Sequence, residues 1–313
     1  MRGSGAAGYD LYGMRIRSEV PLSASPSTEE DPDLEVRWGA RGVIPSVPRQ
    51  GTLIARCELG DGRGYAATET AEDYVLRYYG TCEFRLSRDR RRLRVHLDPG
   101  AERAIASVLL GGTGLAFVLT LRGECVLHAS AVEVDGSAVA LLGPSGAGKS
   151  TLAALLCGAG AALVTDDLLR LVTDGDVPRC FHGTDEIRLR SAAADLGNGV
   201  AQSVTPDRRL AIRPRRSTVD QPPLRTLLVP RPDRSLRKPA VRRLDPRETL
   251  LRFLESPRIP GWTHPETLRS QFAALAGVAR SVTAFEVSVP WGPPFPAEIP
   301  AALLDLHRST IVR

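Results

Sequence analysis

The sequence predicts a mixed α/β protein in two parts: a small β-rich domain over residues 1–100, then a larger α/β domain over 101–313 built around a phosphate-binding loop. Three observations carry this. Residues 9–98 break into short alternating segments separated by Gly, Pro, Asp and Ser, the pattern of turn-linked strands. Residues 139–156, "VALLGPSGAGKSTLAALL", run from apolar residues through a glycine-rich turn into a helix-forming stretch. A further apolar run, "AALVTDD", then ends in two aspartates.

Composition narrows the function classes. With 313 residues and 42% hydrophobic content the chain can bury a sizeable core. Net charge is +5, yet aromatics are only 5%, and no basic stripe interleaves with them as a nucleic-acid surface would require. Hence no nucleic acid is expected as partner. The most apolar stretch, "AIASVLLGGTGLAFVLTL" at 104–121, carries glycines and nearby charges; it reads as a buried helix and not as a membrane span. The opening "MRGSGAAG" lacks the apolar core of a signal peptide, so a cytoplasmic location is expected. Cys57, Cys82, Cys125, Cys157 and Cys180 are scattered and contain no C-x-x-C pair, which reads as separate buried thiols.

In chain order, the predicted strands of the first part are "YDLYGMRIRSEVPL", "DLEVRWG", "TLIARCEL", "GYAATE", "YVLRYYG", "CEFRLS" and "RLRVHL", with "SASPSTEEDPD" (23–33) as a polar surface loop. Helical periodicity over 101–121 predicts a bridge into the second part. Three close strands follow, "ECVLHASA", "VEVDG" and "SAVALLG", the last pair hairpin-like. After the glycine-rich loop, Ser150 to Gly158 is predicted helical, and "AALVTDD", "LLRLVT" and "RCFHG" are predicted strands. A Pro- and Arg-rich segment (205–239) precedes helices near 245–256 and 264–279, a strand "TAFEVSVP" and a last helix from Ala297. Within that segment, "PDRRLAIRPRRS" reads as a solvated basic loop.

The spacing Gly143, Gly148, Lys149, Ser150 fits the G-x-x-x-x-G-K-[ST] cradle. Its backbone N–H groups hold phosphates, its lysine reaches the outer ones and its hydroxyl meets Mg²⁺. The nucleotide-binding residues are therefore Gly143, Ser145, Gly146, Ala147, Gly148, Lys149, Ser150 and Thr151, and the expected cofactors are ATP and Mg²⁺. Lysine occurs only at Lys149 and Lys238 among 41 basic residues. A compact ammonium is what the loop needs, where arginine's planar fork would crowd it, so the lysine's placement points to a working loop. There is no LSGGQ-type signature for a transporter ATPase and no N-K-x-D element for a GTPase. Small-molecule kinases usually open on the loop strand, and here that strand is late.

Residues 125–190 resemble the catalytic core of the HPr kinase/phosphorylase family. Three features in order carry the resemblance: His128 in "LHASAV", fifteen residues before Gly143; the loop "GPSGAGKS"; and Asp166-Asp167 in "VTDD", followed by "EIR" at Glu186, Ile187 and Arg188. Thr151 stands where HPr kinases carry an acidic residue, and "EIRLR" replaces their longer "EIRGLG". The resemblance implies a mixed-sheet P-loop kinase core related to phosphoenolpyruvate carboxykinase, preceded by the β-rich domain. The whole is more similar to HPr kinase-like proteins of peptide natural-product clusters, including lasso-peptide precursor kinases.

The implied roles are these. Lys149 neutralises the β- and γ-phosphates. Asp166 is the catalytic base, and His128 orients or charge-balances it. Ser150, Asp167 and Glu186 are the metal ligands, with Asp166 and Asp167 exchangeable because neighbouring strand residues face opposite ways. Arg188 and Arg190 alternate with apolar residues, as exposed strand positions would, and either could contact phosphate. The expected function is transfer of the γ-phosphoryl group of ATP to a serine hydroxyl of a peptide or small protein, with the N-terminal domain presenting the acceptor or forming homo-oligomers. A kinase for free serine, or a nucleotide-binding regulator without transfer, are the alternatives.

Overall fold

A computed structural model of the chain describes residues 5–28, 31–60, 62–173, 175–197 and 202–311. The expected surface loop at 23–33 and the opening octapeptide therefore lie partly outside the described residues. Packing divides the chain into two units: residues up to Glu124 together with Ile259–Ser270, and Cys125–Arg258 together with Gln271–Arg313.

The first unit is one eight-stranded sheet. Its strands are β1 (Ala7–Leu11), β2 (Met14–Ser18), β3 (Leu34–Trp38), β4 (Thr52–Gly60), β5 (Arg63–Glu69), β6 (Asp73–Tyr78), β7 (Cys82–Ser87) and β8 (Arg92–Leu97). They lie in the order β1-β2-β3-β8-β7-β6-β5-β4. The alternation that predicted strands is obeyed: in β8, Leu93, Val95 and Leu97 are buried while Arg92 and Arg94 face solvent. The apolar helical stretch follows as α1 (Arg103–Leu109), a π-helical turn (Leu110–Gly114) and α2 (Leu115–Leu121). By length and composition it could cross a membrane, but every residue from Leu110 to Thr120 is buried in this unit. A π turn leaves its carbonyls poorly matched to their usual partners, and the buried Tyr12 hydroxyl donates to Gly111 O at 3.1 Å. The expected boundary after residue 100 is therefore displaced to 124, because the helix is core of the first unit and not a bridge.

The second unit centres on a mixed six-stranded sheet. In chain order its segments are β9 (Cys125–Leu127), β10 (Ala129–Val134), β11 (Ser137–Leu142), α3 (Lys149–Gly158), β12 (Ala162–Thr165), β13 (Leu169–Val172), β14 (Arg179–Cys180) and β15 (Ile187–Leu189). After these come β16 (Gln202–Val204), β17 (Leu210–Ile212), β18 (Leu224–Asp233), β19 (Ala240–Leu244), α4 (Pro246–Leu254), α5 (Pro265–Ser281), which belongs to this unit from Gln271 onward, β20 (Thr283–Pro290) and α6 (Glu298–Ile311). The central order is β12-β10-β11-β18-β20-β19, flanked by small sheets β14-β13-β9 and β15-β17-β16. One face packs Val139, Leu141 and Val287 against Leu152 and Leu156 of α3 and Leu303 of α6. The other packs Ala140, Leu142 and Leu227 against Phe253 of α4 and Val278 of α5.

Strand direction decides where the site lies. β11, β18 and β20 are mutually parallel, whereas β10 is antiparallel to both β11 and β12. The ends of β11 and β12 and the beginning of β10 therefore share one edge, the carboxyl edge at which α/β sheets bind ligands. The hairpin is closed by Asp135 and Gly136, with φ of 50° and 82°, as a tight type I′ turn requires.

Two expected segments differ. "ECVLHASA" is split at His128 because β9 and β10 belong to different sheets; between them the His128 N–H donates to Ser256 O at 3.0 Å. The segment "PDRRLAIRPRRS" is not a loose basic loop. Ala211 and Ile212 are buried in β17, Arg209 pairs with Asp207, and Arg216 with Asp185. Among the described residues all five cysteines are free thiols, with Cys82, Cys125 and Cys180 buried and Cys57 and Cys157 half-buried.

Candidate active site

The glycine-rich loop leaves β11 and enters α3 with positive φ at Gly143, Gly146 and Gly148 (153°, 91° and 88°), values an L side chain rarely adopts. At Gly148 a second constraint applies: an added Cβ would fall 2.2 Å from the indole of Trp291, just past β20. Lys149 is only 6% exposed. Its Nζ donates to Gly143 O at 2.7 Å and Pro144 O at 3.0 Å, so the loop's own carbonyls hold the ammonium where the outer phosphates would lie. Burial pushes its pKa down to about 8, against the raising influence of Asp166 and Asp167.

The two aspartates sit in a turn and not in the strand that precedes them. β12 ends at Thr165, Leu168 N donates to Asp166 O at 2.9 Å, and Asp167 has φ of 73°. This turn sends the two carboxylates to different partners. Asp166, 2% exposed, accepts through Oδ1 from Ser150 Oγ at 2.9 Å and Ser130 Oγ at 2.6 Å, and through Oδ2 from Arg188 N at 3.2 Å. Asp167 Oδ2 accepts from Arg258 Nη2 at 2.7 Å and Arg188 Nη2 at 3.0 Å. Its Oδ1 lies 3.2 Å from His128 Nδ1, which is also 3.0 Å from the Asp167 carbonyl oxygen. Burial alone would raise the Asp167 pKa, but Arg258, His128 and Arg188 hold its carboxyl well below the usual carboxylate range.

The arrangement thus joins His128, Lys149, Ser150, Asp166, Asp167 and Arg188, residues singled out in the sequence. Ser150 meets Asp166, and no hydrogen bond links it to Asp167. Glu186 is half-buried beside the Asp185–Arg216 ion pair, and no contact ties it to Ser150. No group of three His, Cys, Asp or Glu side chains among the described residues is gathered as a metal cage. Hydroxyl and carboxylate oxygens do converge at Ser150 and Asp166, the donor chemistry that suits Mg²⁺, which keeps several waters and takes few protein ligands. Thr151 is half-buried in the first turn of α3.

Arg258 was not legible as a site residue. It lies 91 positions beyond Asp167, in a stretch with no motif. Trp291 was equally silent, although an aromatic immediately after the strand "TAFEVSVP" could have been read as a carboxyl-edge residue.

Comparisons with known proteins add little. No protein-family model matches the chain, and no curated protein matches it. Among solved structures, the HPr(Ser) kinase/phosphatase from Coxiella burnetii is similar at 13% identity and a TM-score of 0.29, over 60% of this chain and 96% of that one. A superposition that loose carries no argument, so the functional reading rests on the side chains of the loop and its neighbours.

Proposed function

We propose that the protein is an ATP-dependent kinase that transfers the γ-phosphoryl group to a serine hydroxyl of a peptide or small protein, as the sequence resemblance to lasso-peptide precursor kinases implies. The observation that carries the kinase reading is the sharing of work between adjacent carboxylates, Asp166 on the loop hydroxyl and Asp167 on His128.

In this reading the P-loop N–H groups and Lys149 hold the phosphates. Ser150 and Asp166 would hold Mg²⁺, which would neutralise phosphate charge. Asp166 takes the metal-side role expected of Asp167 and is not the base, because it is buried and accepts from the Ser130 and Ser150 hydroxyls. Asp167 is in turn saturated by Arg188, Arg258 and His128, so it positions the imidazole and is not itself the proton acceptor. Two oxygens face His128 Nδ1, so that nitrogen carries the proton and Nε2 is left as a base. The acceptor hydroxyl gives its proton to Nε2 as its oxygen bonds to the γ-phosphorus. The bond from that phosphorus to the β–γ bridging oxygen breaks, and the electron pair leaves with ADP.

The test is incubation with γ-labelled ATP and an extract of the source cells. Label in a peptide band supports the reading. Label in free phosphoserine supports the small-molecule alternative, and no label with ATP still bound supports a regulator.

A further inference from the structure

Strand β15 and the residue after it carry two arginines, Arg188 beside the aspartates and Arg190 at the loop. Ile187 and Leu189 are buried in the core that includes Leu152 and Leu156 of α3, so the alternation of a strand turns Arg188 to the opposite side, and Arg190 follows as the next residue in that alternation. Arg188 is committed: its fork lies 3.0 Å from Asp167 Oδ2 and 3.4 Å from Asp207 Oδ2. Arg258 is likewise bound to Asp167, at 2.7 Å.

Arg190 is different. It is exposed, and among the described residues its side chain meets Ser145 Oγ through Nη2 at 3.4 Å, long for a hydrogen bond. No carboxylate pairs with it among the described residues. A Cβ added to Gly146 would lie 3.8 Å from its Nη1 and 4.0 Å from its Nη2, so the guanidinium spans the outer rim of the loop. That rim is the outer-phosphate end, since Lys149 Nζ rests on the neighbouring Gly143 and Pro144 carbonyls, whereas the inner end is the start of α3 at Ser150. A five-donor fork without an anion, over the loop that holds phosphates, is matched to the planar, triply oxygenated phosphoryl group in flight.

We propose that Arg190 is a catalytic residue that contacts the equatorial oxygens of the γ-phosphoryl group as it passes between ADP and acceptor. The inference rests on the nucleotide reading above. An arginine so placed gains hydrogen bonds as charge spreads on those oxygens, and therefore stabilises the transition state more than bound ATP or ADP.

The test compares MgADP with MgADP plus aluminium fluoride, which mimics the group in transfer, by calorimetry on wild-type full-length protein, Arg190→Ala and Arg190→Lys. In Arg190→Ala, MgADP affinity should stay within about twofold while the extra affinity given by fluoride falls by about 10²-fold or more. Arg190→Lys, which keeps charge but not the fork, should recover only part, and this also shows that the Ser191–Gly197 turn has not collapsed. Equal losses for both ligands, or no loss with fluoride, would overturn the proposal. Wild-type protein that binds no MgADP would instead overturn the nucleotide reading.

Discussion

His128 Nδ1 stands 3.2 Å from Asp167 Oδ1 and 3.0 Å from the carbonyl oxygen of the same residue. The imidazole is thereby fixed at the point where the chain passes from one sheet to another. His128→Ala should lower transfer by about 10²–10⁴-fold, the worth of a positioned base, with MgATP affinity changed by less than about threefold. Asp167→Asn should lower transfer as well, and it should also cost about 2–3 kcal/mol of stability, because Arg188 and Arg258 lose their counter-charge in a partly buried site. Rapid-quench kinetics and urea denaturation separate the two variants. Equal stability of Asp167→Asn and wild type would show that the ion-pair network is not structural.

Ser150 and Asp166 should behave as one element. Ser150→Ala and Asp166→Asn are each expected to remove the Mg²⁺ dependence of ATP affinity, and the double variant should be no worse than the more damaging single one. Titration of ATP binding against Mg²⁺ gives the curves. Additive losses would separate the two residues into different roles.

Lys149 makes affinity sensitive to alkali. Its pKa is lowered from the ordinary 10.5 to about 8 in the free protein, and bound polyphosphate favours the charged form. Above about pH 8 the complex therefore holds a proton that the free protein has lost, and binding takes it up. Affinity should fall as pH rises above about 8, by up to about tenfold per unit. Calorimetry at pH 9 in two buffers of different ionisation enthalpy reads the proton directly. Lys149→Met keeps the packed stem and removes a desolvated ammonium, so it should lose ATP binding while melting no lower than wild type.

His307 gives the fold an acid limit. It is fully buried, with Thr226 Oγ1 2.7 Å from Nδ1 and Ser137 Oγ 3.0 Å from Nε2. Burial lowers its pKa below the usual 6.5. The unfolded chain therefore takes up a proton that the native imidazole refuses, and stability is lost as pH falls below about 6.5, by up to 1.4 kcal/mol per unit. His307→Gln should flatten the denaturation midpoint between pH 7 and 5 relative to wild type. An unchanged slope would assign the acid sensitivity to other groups.

Local periodicity and spacing were enough for much of this molecule. The alternation in "RLRVHL" marked β8, the glycine spacing marked the loop, and "VTDD" marked the end of β12, because each depends on residues adjacent in sequence. The division of labour between Asp166 and Asp167 was not legible, since it follows from a left-handed turn at Asp167 and not from strand alternation. Arg258 reaches Asp167 from beyond α4, and Trp291 meets Gly148 from the end of β20; no local pattern encodes either. The helix at 103–121 was readable as buried, but its allegiance was not. Its contact with Tyr12, 99 positions earlier at Gly111, belongs to the first unit, and no local pattern encodes it.

The first unit is completed by a strap from far along the chain, Ile259–Ser270. Trp262 stands edge-on to Phe117 with ring centroids 6.3 Å apart, and Tyr65 donates to Pro260 O at 2.9 Å. Gly261 lies so close to Arg56 that a Cβ would fall 1.8 Å from its carbonyl oxygen. The two units are therefore not exchangeable cassettes: recombination at a single crossover between residues 124 and 259 would part the sheet from its buckle. An excised 1–124 fragment should be incomplete until a synthetic 259–270 peptide is supplied in trans, and the gene can diversify its β unit only by point substitution or by paired exchange of both segments.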